Sequence, residues 1–101
     1  MDCIFCNIDK ANIIQSNELA FAINDKYPHS KGHVLIIPYR HYENYFDSKK
    51  EEFEAITDLI NKMKVYLDEK YKPEAYNISV NAGKKAGQII MHAHVHLIPR
   101  Y

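Results

Sequence analysis

Apolar runs along the chain predict two pairs of strands. ELAFAI (18–23) and HVLIIP (33–38) are rich in β-forming residues and are separated by the turn-like stretch NDKYPHSKG, so they predict a hairpin or meander. AYNISV (75–80) and IIMHAHVHLIP (89–99) predict two further strands, which the loop NAGKKAGQ joins. The mostly apolar HVLIIP run is expected near the centre of the sheet.

Between the two pairs, apolar residues recur at the spacing of a helix. Ser48 followed by Glu51 fits a capping box, and the helical pattern continues until Pro73. The apolar positions that should cover one face of a sheet are Phe53, Ile56, Ile60, Met63 and Leu67. Because strands and helix do not alternate as regular βαβ units, this order predicts an α+β domain with an antiparallel sheet.

Composition narrows the class of protein. A chain of 101 residues without an internal repeat, low-complexity tract or flexible linker is expected to form one domain, residues 1–101. Thirteen basic and thirteen acidic side chains give a formal net charge of zero, which argues against a general binder of nucleic acid or of a membrane surface. Neither a signal peptide nor a membrane span is recognisable, so a cytoplasmic protein is expected.

Three of the six histidines occupy alternate positions in HAHVHL, residues 92–97. In a strand this alternation places His92, His94 and His96 on one face, while the apolar residues between them can pack under the helix. Ordinary core or surface histidines are the alternative, but strict alternation of three is uncommon by chance. Two functional interpretations compete: a row of metal ligands, or a nucleophilic imidazole flanked by proton donors.

The residues around these histidines favour phosphate chemistry. From position 75 to 101 there is no Asp or Glu, whereas catalytic metal sites of hydrolases usually include a carboxylate. The same segment carries Lys84, Lys85 and Arg100, so it is the clearly cationic part of a neutral protein. A neutral imidazole is a reasonable nucleophile toward phosphorus, and the P–N bond that it forms is readily hydrolysed.

The loop NAGKKAGQ is consistent with an anion site. Gly83 and Gly87 let backbone N–H groups turn toward an anion, and Asn81 and Gln88 add neutral donors. On its own, such a loop is equally an ordinary connection between two strands.

Together these features resemble the histidine triad (HIT) superfamily of nucleotide hydrolases and transferases, whose signature is His-φ-His-φ-His-φ-φ with φ apolar. HAHVHLI, residues 92–98, satisfies the signature, and CIFCNI, DKYPHSKGHVLIIPYRH and NAGKKAGQIIMHAHVHLIPR resemble blocks of the family in family order. The resemblance implies a HIT-like fold, a five-stranded antiparallel sheet with a main helix packed on it. It also implies a homodimer in which two such sheets join into one of ten strands.

The resemblance implies a role for each histidine of the motif. His94 would attack the α-phosphorus of a nucleotide and form a nucleotidyl-histidine intermediate, while the backbone carbonyl of His92 orients its other ring nitrogen. His96 would hydrogen-bond the phosphate or the leaving group. His33 matches a fourth histidine that the family places close to the triad, and a hydrogen-bonding residue at a strand start is the alternative.

Further positions are implied to contact the nucleotide. Asn81, with the loop at Gly87 and Gln88, would hold the nonbridging oxygens as negative charge develops. Asp25 matches the position that binds the ribose hydroxyls in relatives, although a turn aspartate is the alternative. Ile89 stands where many relatives have Ser or Thr, so only its backbone N–H is offered there. The positions expected to enclose the base, or else to be plain core, are Phe5, Ile8 and Ile23.

Cys3 and Cys6 form a CxxC pair. A redox pair is one interpretation and a pair of unligated thiols is another. A zinc knuckle is the third, because two histidines added to two cysteines close a tetrahedral structural site. Some HIT proteins are similar in pairing an N-terminal CxxC with two histidines, and this likeness implies a structural Zn²⁺ held by Cys3, Cys6, His41 and His92. No catalytic metal is required in this interpretation.

The leading prediction is a HIT-type hydrolase or transferase. It would cleave at the α-phosphate of purine nucleotide conjugates, either nucleoside phosphoramidates or dinucleoside polyphosphates. A nucleotide-binding regulatory module with slow or incidental turnover is the alternative, and a metal-dependent hydrolase or oxygenase with the triad as ligands is a third. The expected partners are a purine nucleotide substrate and a second copy of the chain, with no nucleic acid and no membrane.

Overall fold

The computed structural model describes residues 3–101, in which five strands form one antiparallel sheet and one long helix, α1 (Lys50–Tyr71), packs on it. The strands are β1 (Ile13–Ser16), β2 (Ala20–Asn24), β3 (Val34–Pro38), β4 (Ala75–Ser79) and β5 (Val95–Arg100). Their order across the sheet is β1-β2-β3-β5-β4, and every neighbouring pair is antiparallel. The predicted α+β class, with five antiparallel strands and one main helix, is confirmed, while the ten-stranded dimer sheet stays a prediction.

Both predicted strand pairs are present in the sheet. Strand β2 pairs with β3, where Ala22 lies opposite Ile36, and β4 pairs with β5, where Ile78 lies opposite Leu97. Strand β3 lies between β2 and β5, and all its residues are buried, as its apolar sequence predicts. Strand β1 was not predicted, because IIQS is only 4 residues long and an irregularity interrupts its register with β2.

Strand β5 is shorter than predicted, which changes the setting of the histidine motif. The strand predicted over 89–99 begins only at Val95, so His96 lies in the strand and His92 lies in a bend before it. Pro38, at the end of β3, has no N–H with which to extend the ladder, and its carbonyl instead accepts a hydrogen bond from His92 Nε2 at 2.8 Å. The expected row of exposed imidazoles is therefore wrong for His92, which is fully buried.

The start of helix α1 differs from the predicted capping box by one residue. The Glu52 carboxylate accepts a hydrogen bond from the backbone N–H of Lys49 at 2.7 Å, which satisfies a donor that the first turn leaves unpaired. The Ser48 hydroxyl instead donates to the carbonyl of Tyr45 at 2.7 Å. At its other end the helix stops where Lys72 adopts a left-handed conformation with φ 53°.

The main core lies between helix α1 and one face of the sheet. Its fully buried members are Ala20, Ala22, Val34, Ile36, Val95 and Leu97 from the sheet and Ile56, Leu59, Met63 and Leu67 from the helix. Phe53 and Ile60, which were predicted on the apolar face, are only partly buried, and Leu59 is fully buried beside them.

The opposite face of the sheet forms a second apolar layer. Phe21, Ile23, Leu35 and Ile37 lie on it, and Phe5 from the N-terminal segment packs over them. The rest of this face is uncovered and forms an open cleft. Among the helices of residues 3–101, none has the length and apolar character that crossing a lipid bilayer requires.

Candidate functional site

The cleft lies on the face of the sheet that helix α1 does not cover. Its volume is about 1250 Å³, which is large for a small-molecule site and reflects its open mouth. The predicted site residues that line it are Phe5, Ile8, Ile23, Asp25, Asn81, Gly87, Ile89, His94 and His96. The cationic side chains on its wall are Lys26 and Arg100, whereas the loop lysines are not part of the lining.

His94 is held in one orientation by the backbone. Its Nδ1–H donates to the carbonyl of His92 at 2.8 Å, because a carbonyl can only accept. Its ring also meets the edge of Phe5 at a centroid distance of 5.2 Å. Burial lowers the pKa of His94, so the ring is neutral near pH 7 and its unprotonated nitrogen is Nε2. That nitrogen has no hydrogen-bond partner within residues 3–101.

A second group of titratable side chains lies beside His96. His33 Nε2 is 3.0 Å from His96 Nδ1 and 3.3 Å from a carboxylate oxygen of Asp25. His33 is 1% exposed, and burial lowers its pKa. Burial, together with the neighbouring His94 and His33, lowers the pKa of His96 to about 4. All of these rings are therefore neutral near pH 7.

By distance alone, Asp25, His33 and His96 could surround a cation, since one ligand atom of each lies within 4.8 Å of the others. However, the backbone N–H of His29 donates to His33 Nδ1 at 3.0 Å. A neutral imidazole that accepts at Nδ1 carries its proton on Nε2, so the nitrogen that faces the group is not a free metal ligand. Hydrogen bonding rather than metal coordination explains this cluster.

The glycine loop is held in place by Gln88. The side-chain amide of Gln88 donates to the carbonyls of Glu43 and Ile90 at 2.7 and 3.0 Å and accepts from the backbone N–H of Gly83 at 2.8 Å. Its own N–H donates to the carbonyl of Gly83. The structure thus leaves Gln88 no donor for a phosphate oxygen, contrary to the expectation of a direct contact. Its role in this conformation is to hold the loop against the segment after β3.

Other parts of the loop do face the cleft. Gly87 has φ +94° and its N–H donates to the carbonyl of Lys84, so Gly87 shapes the turn rather than offering its N–H. The side-chain amide of Asn81 makes only a long contact, 3.5 Å, with the carbonyl of Gly87. Ile89 is 91% exposed. Asn81 and Ile89 both line the cleft, and the Asn81 amide is the side-chain donor that this part of the loop offers there.

The apolar residues expected around a base lie together at one end of the cleft. Phe5 and Ile23 are buried, at 5% and 7% exposed, and Ile8 is half-buried beside them. Asp25 follows β2 directly, and its carboxylate accepts a hydrogen bond from the backbone N–H of Tyr27 at 2.9 Å. Asp25 therefore makes the contact of a turn aspartate and also lies beside the cleft, so the two interpretations of this residue do not exclude each other.

Cys3, Cys6, His41 and His92 come together in a cluster whose ligand atoms lie within 4.8 Å of one another. His92 Nδ1 is 3.3 Å from the sulfur of Cys3 and 3.1 Å from His41 Nδ1, and the sulfur of Cys6 is 3.3 Å from His41 Nδ1. Because the Nε2–H of His92 donates to a carbonyl, its Nδ1 is left to bind a metal. Two thiolates and two imidazoles suit tetrahedral Zn²⁺.

The five-stranded sheet, the alternating histidines and the adjoining glycine loop define the histidine triad class of proteins. The HIT domain family model matches residues 7–101, and the chain belongs to that family. An uncharacterised HIT-like protein of Mycoplasma pneumoniae is 38% identical over 99% of this chain and 72% of its own length. An adenosine 5'-monophosphoramidase of Schizosaccharomyces pombe is 36% identical over 99% and 75%. A bis(5'-adenosyl)-triphosphatase of Dictyostelium discoideum is 32% identical over 92% and 62%.

Solved structures agree with this assignment. A HIT family protein of Bacillus anthracis superposes with a TM-score of 0.92 and 34% identity, covering 99% of this chain and 74% of that one. A zinc-bound histidine triad protein of Mycobacterium smegmatis has a TM-score of 0.90 and 30% identity, covering 100% and 76%.

Two contributors to the site were missed by sequence reasoning. The backbone N–H of His29 and the carbonyl of Pro38 each bind a histidine ring, yet main-chain groups leave no residue-type signal. The predicted turn NDKYPHSKG, which contains His29, was the only hint that such a group would lie near His33.

Proposed function

We propose that this protein is a nucleotidyl hydrolase or transferase that cleaves at the α-phosphate of purine nucleotide conjugates. The hydrogen bond from His94 Nδ1 to the carbonyl of His92, 2.8 Å long, carries the proposal, because it leaves Nε2 as a fixed lone pair beside the cleft. Family members named as an adenosine 5'-monophosphoramidase and a bis(5'-adenosyl)-triphosphatase support a nucleotide hydrolase.

The proposed reaction proceeds in two displacements at phosphorus. In the first, Nε2 of His94 bonds to the α-phosphorus while the bond from phosphorus to the leaving nitrogen or oxygen breaks. The leaving group keeps the electron pair, and an amine departs as the neutral molecule because its nitrogen takes a proton from solvent. In the second, water attacks the same phosphorus, the P–N bond breaks and a nucleoside monophosphate is released. Asn81 and Ile89 line the cleft, and in the proposed reaction the Asn81 amide and the backbone N–H of Ile89 bind the nonbridging oxygens.

Substrate binding follows from the two ends of the cleft. The apolar end, with Phe5, Ile8 and Ile23, encloses the purine ring. Asp25, at 16% side-chain exposure, accepts hydrogen bonds from the ribose hydroxyls. His96 and its partner His33 lie on the β5 side of the phosphate.

We further propose that Cys3, Cys6, His41 and His92 bind one structural Zn²⁺. The cluster geometry and the zinc-bound relative support it. The ion would hold the N-terminal segment against His92, two residues before the nucleophile, and it takes no part in the chemical step. We also propose that the protein forms a homodimer through the edge strand β4, where Ile78 is 60% exposed.

A single-turnover experiment tests the nucleophile. Wild-type protein mixed with a radiolabelled adenosine phosphoramidate and quenched rapidly at alkaline pH should carry a labelled, acid-labile adduct, and His94→Asn should carry none. Lys62→Ala, on the exposed side of α1, serves as the matched control and should form the adduct like wild type. Equal hydrolysis by wild type and His94→Asn would refute the nucleophile, and tight nucleotide binding without any adduct would favour a regulatory binding module.

A further inference from the structure

The ring of His33 receives its orientation from the main chain. The backbone N–H of His29 points at His33 Nδ1 over 3.0 Å. A peptide N–H can only donate, so Nδ1 must accept, and the single proton of the neutral ring lies on Nε2. Burial at 1% exposure keeps this ring neutral near pH 7.

The Nε2–H of His33 has two acceptors within reach. His96 Nδ1 is 3.0 Å away and a carboxylate oxygen of Asp25 is 3.3 Å away. If His96 carried its proton on Nδ1, two N–H groups would face each other across 3.0 Å. The carboxylate of Asp25 is 3.8 Å from His96 Nδ1, too far to accept that proton well. An unprotonated Nδ1 on His96 satisfies every contact.

We propose that His33 is a positioning residue that fixes His96 in the tautomer with its proton on Nε2. His94 and His96, whose ring centroids are 5.2 Å apart, then carry opposite tautomers. His94 offers a lone pair at Nε2 and His96 offers an N–H at Nε2. Two side chains of the same type thus supply different groups to the cleft: His94 supplies a nucleophile and His96 supplies a hydrogen-bond donor.

The catalytic consequence rests on the proposed function. The Nε2–H of His96 would donate a hydrogen bond to a nonbridging or leaving oxygen or nitrogen as negative charge develops on it. Hydrogen-bond donation alone is proposed, since a neutral imidazole is too weak an acid to give up that proton. Without His33 the His96 ring would sample both tautomers, and part of the population would present a lone pair to the same negative charge.

Long-range ¹H–¹⁵N correlation spectra of the substrate-free protein at pH 7.5 test the tautomers directly. In wild type, His96 should show a protonated Nε2 and an unprotonated Nδ1, and His94 should show the reverse. His33→Leu should lose the single-tautomer pattern of His96, and His33→Gln, whose amide can still donate, should retain it. A wild-type His96 protonated at Nδ1 would overturn the proposal, even if the leucine variant fails to fold.

Steady-state kinetics with an adenosine phosphoramidate test the consequence. Removal of an oriented donor costs about 10²–10³-fold in kcat. His33→Leu should lose a part of this, about twofold if the two tautomers of His96 become equally populated and about tenfold if the donor is presented for only about a tenth of the time. KM should change less than about threefold, and His33→Gln should recover most of kcat. An unchanged kcat in the leucine variant would overturn the positioning role. If wild type shows the tautomers but no turnover, the proposed function fails while the tautomer assignment stands.

Discussion

The stability of this fold should fall in mild acid because several of its imidazoles are shielded from water. For His96 the size of this loss of stability can be calculated. Burial and neighbouring rings lower its pKa from 6.5 to about 4. Between these two values the unfolded chain binds more protons than the folded one, so stability is full above pH 6.5 and falls as the pH drops toward 4. At about 1.4 kcal/mol per tenfold change in proton affinity, the full loss is about 3 kcal/mol, and roughly 2 kcal/mol is lost by pH 5.

Urea unfolding followed by circular dichroism at pH 7.5 and pH 5.0 measures this loss. His96→Gln should lose about 2 kcal/mol less than wild type between the two pH values, because the titrating ring is absent. Protons that compete with a metal at the Cys3 cluster act equally on both proteins and cancel in the comparison. His29→Gln, which removes an exposed imidazole, is the matched control and should keep most of the loss. An equal acid loss in wild type and His96→Gln would refute the reasoning.

Three further perturbations have defined outcomes. Cys6→Ser should abolish stoichiometric zinc in protein never exposed to a chelator, measured by elemental analysis, because a hydroxyl is a poor zinc ligand; retained zinc would contradict the cluster. Glu52→Gln should cost roughly 2 kcal/mol in urea unfolding, since this carboxylate, 4% exposed, binds Arg40 at 2.8 and 2.9 Å and caps α1; a loss under about 0.5 kcal/mol would contradict it. Gly87→Ala should cost about 1–2 kcal/mol because φ is +94° although space for a Cβ is present; no change in the unfolding midpoint would contradict it.

Patterns of side-chain type predicted the framework of the fold because they follow from which face is buried. Alternating and continuous apolar runs located four of the five strands, and helical spacing located α1. Strand β1 escaped because IIQS is short and is paired irregularly. The late start of β5 at Val95 escaped because it depends on a proline in a different strand, Pro38, whose carbonyl binds a histidine ring.

The candidate site was only partly predictable because its geometry depends on hydrogen bonds to main-chain groups, which residue types do not reveal. The alternating pattern pointed to His94 and His96, and the family resemblance added Asp25; all three line one cleft, and their roles there stay predictions. Residue type could not show that Gln88 uses its amide on Glu43, since the two are far apart in sequence and the acceptor is a main-chain carbonyl. Hydrogen bonds to the backbone decide which donors remain for a ligand, and they appear only when the chain is folded.

His92 contacts both the cysteine–histidine cluster and the proposed nucleophile His94. Its ring contacts the sulfur of Cys3, 3.3 Å away, while its carbonyl holds the ring of His94, 2.8 Å away. A compound screen on this protein would therefore score thiol alkylators as inhibitors even though they never enter the cleft.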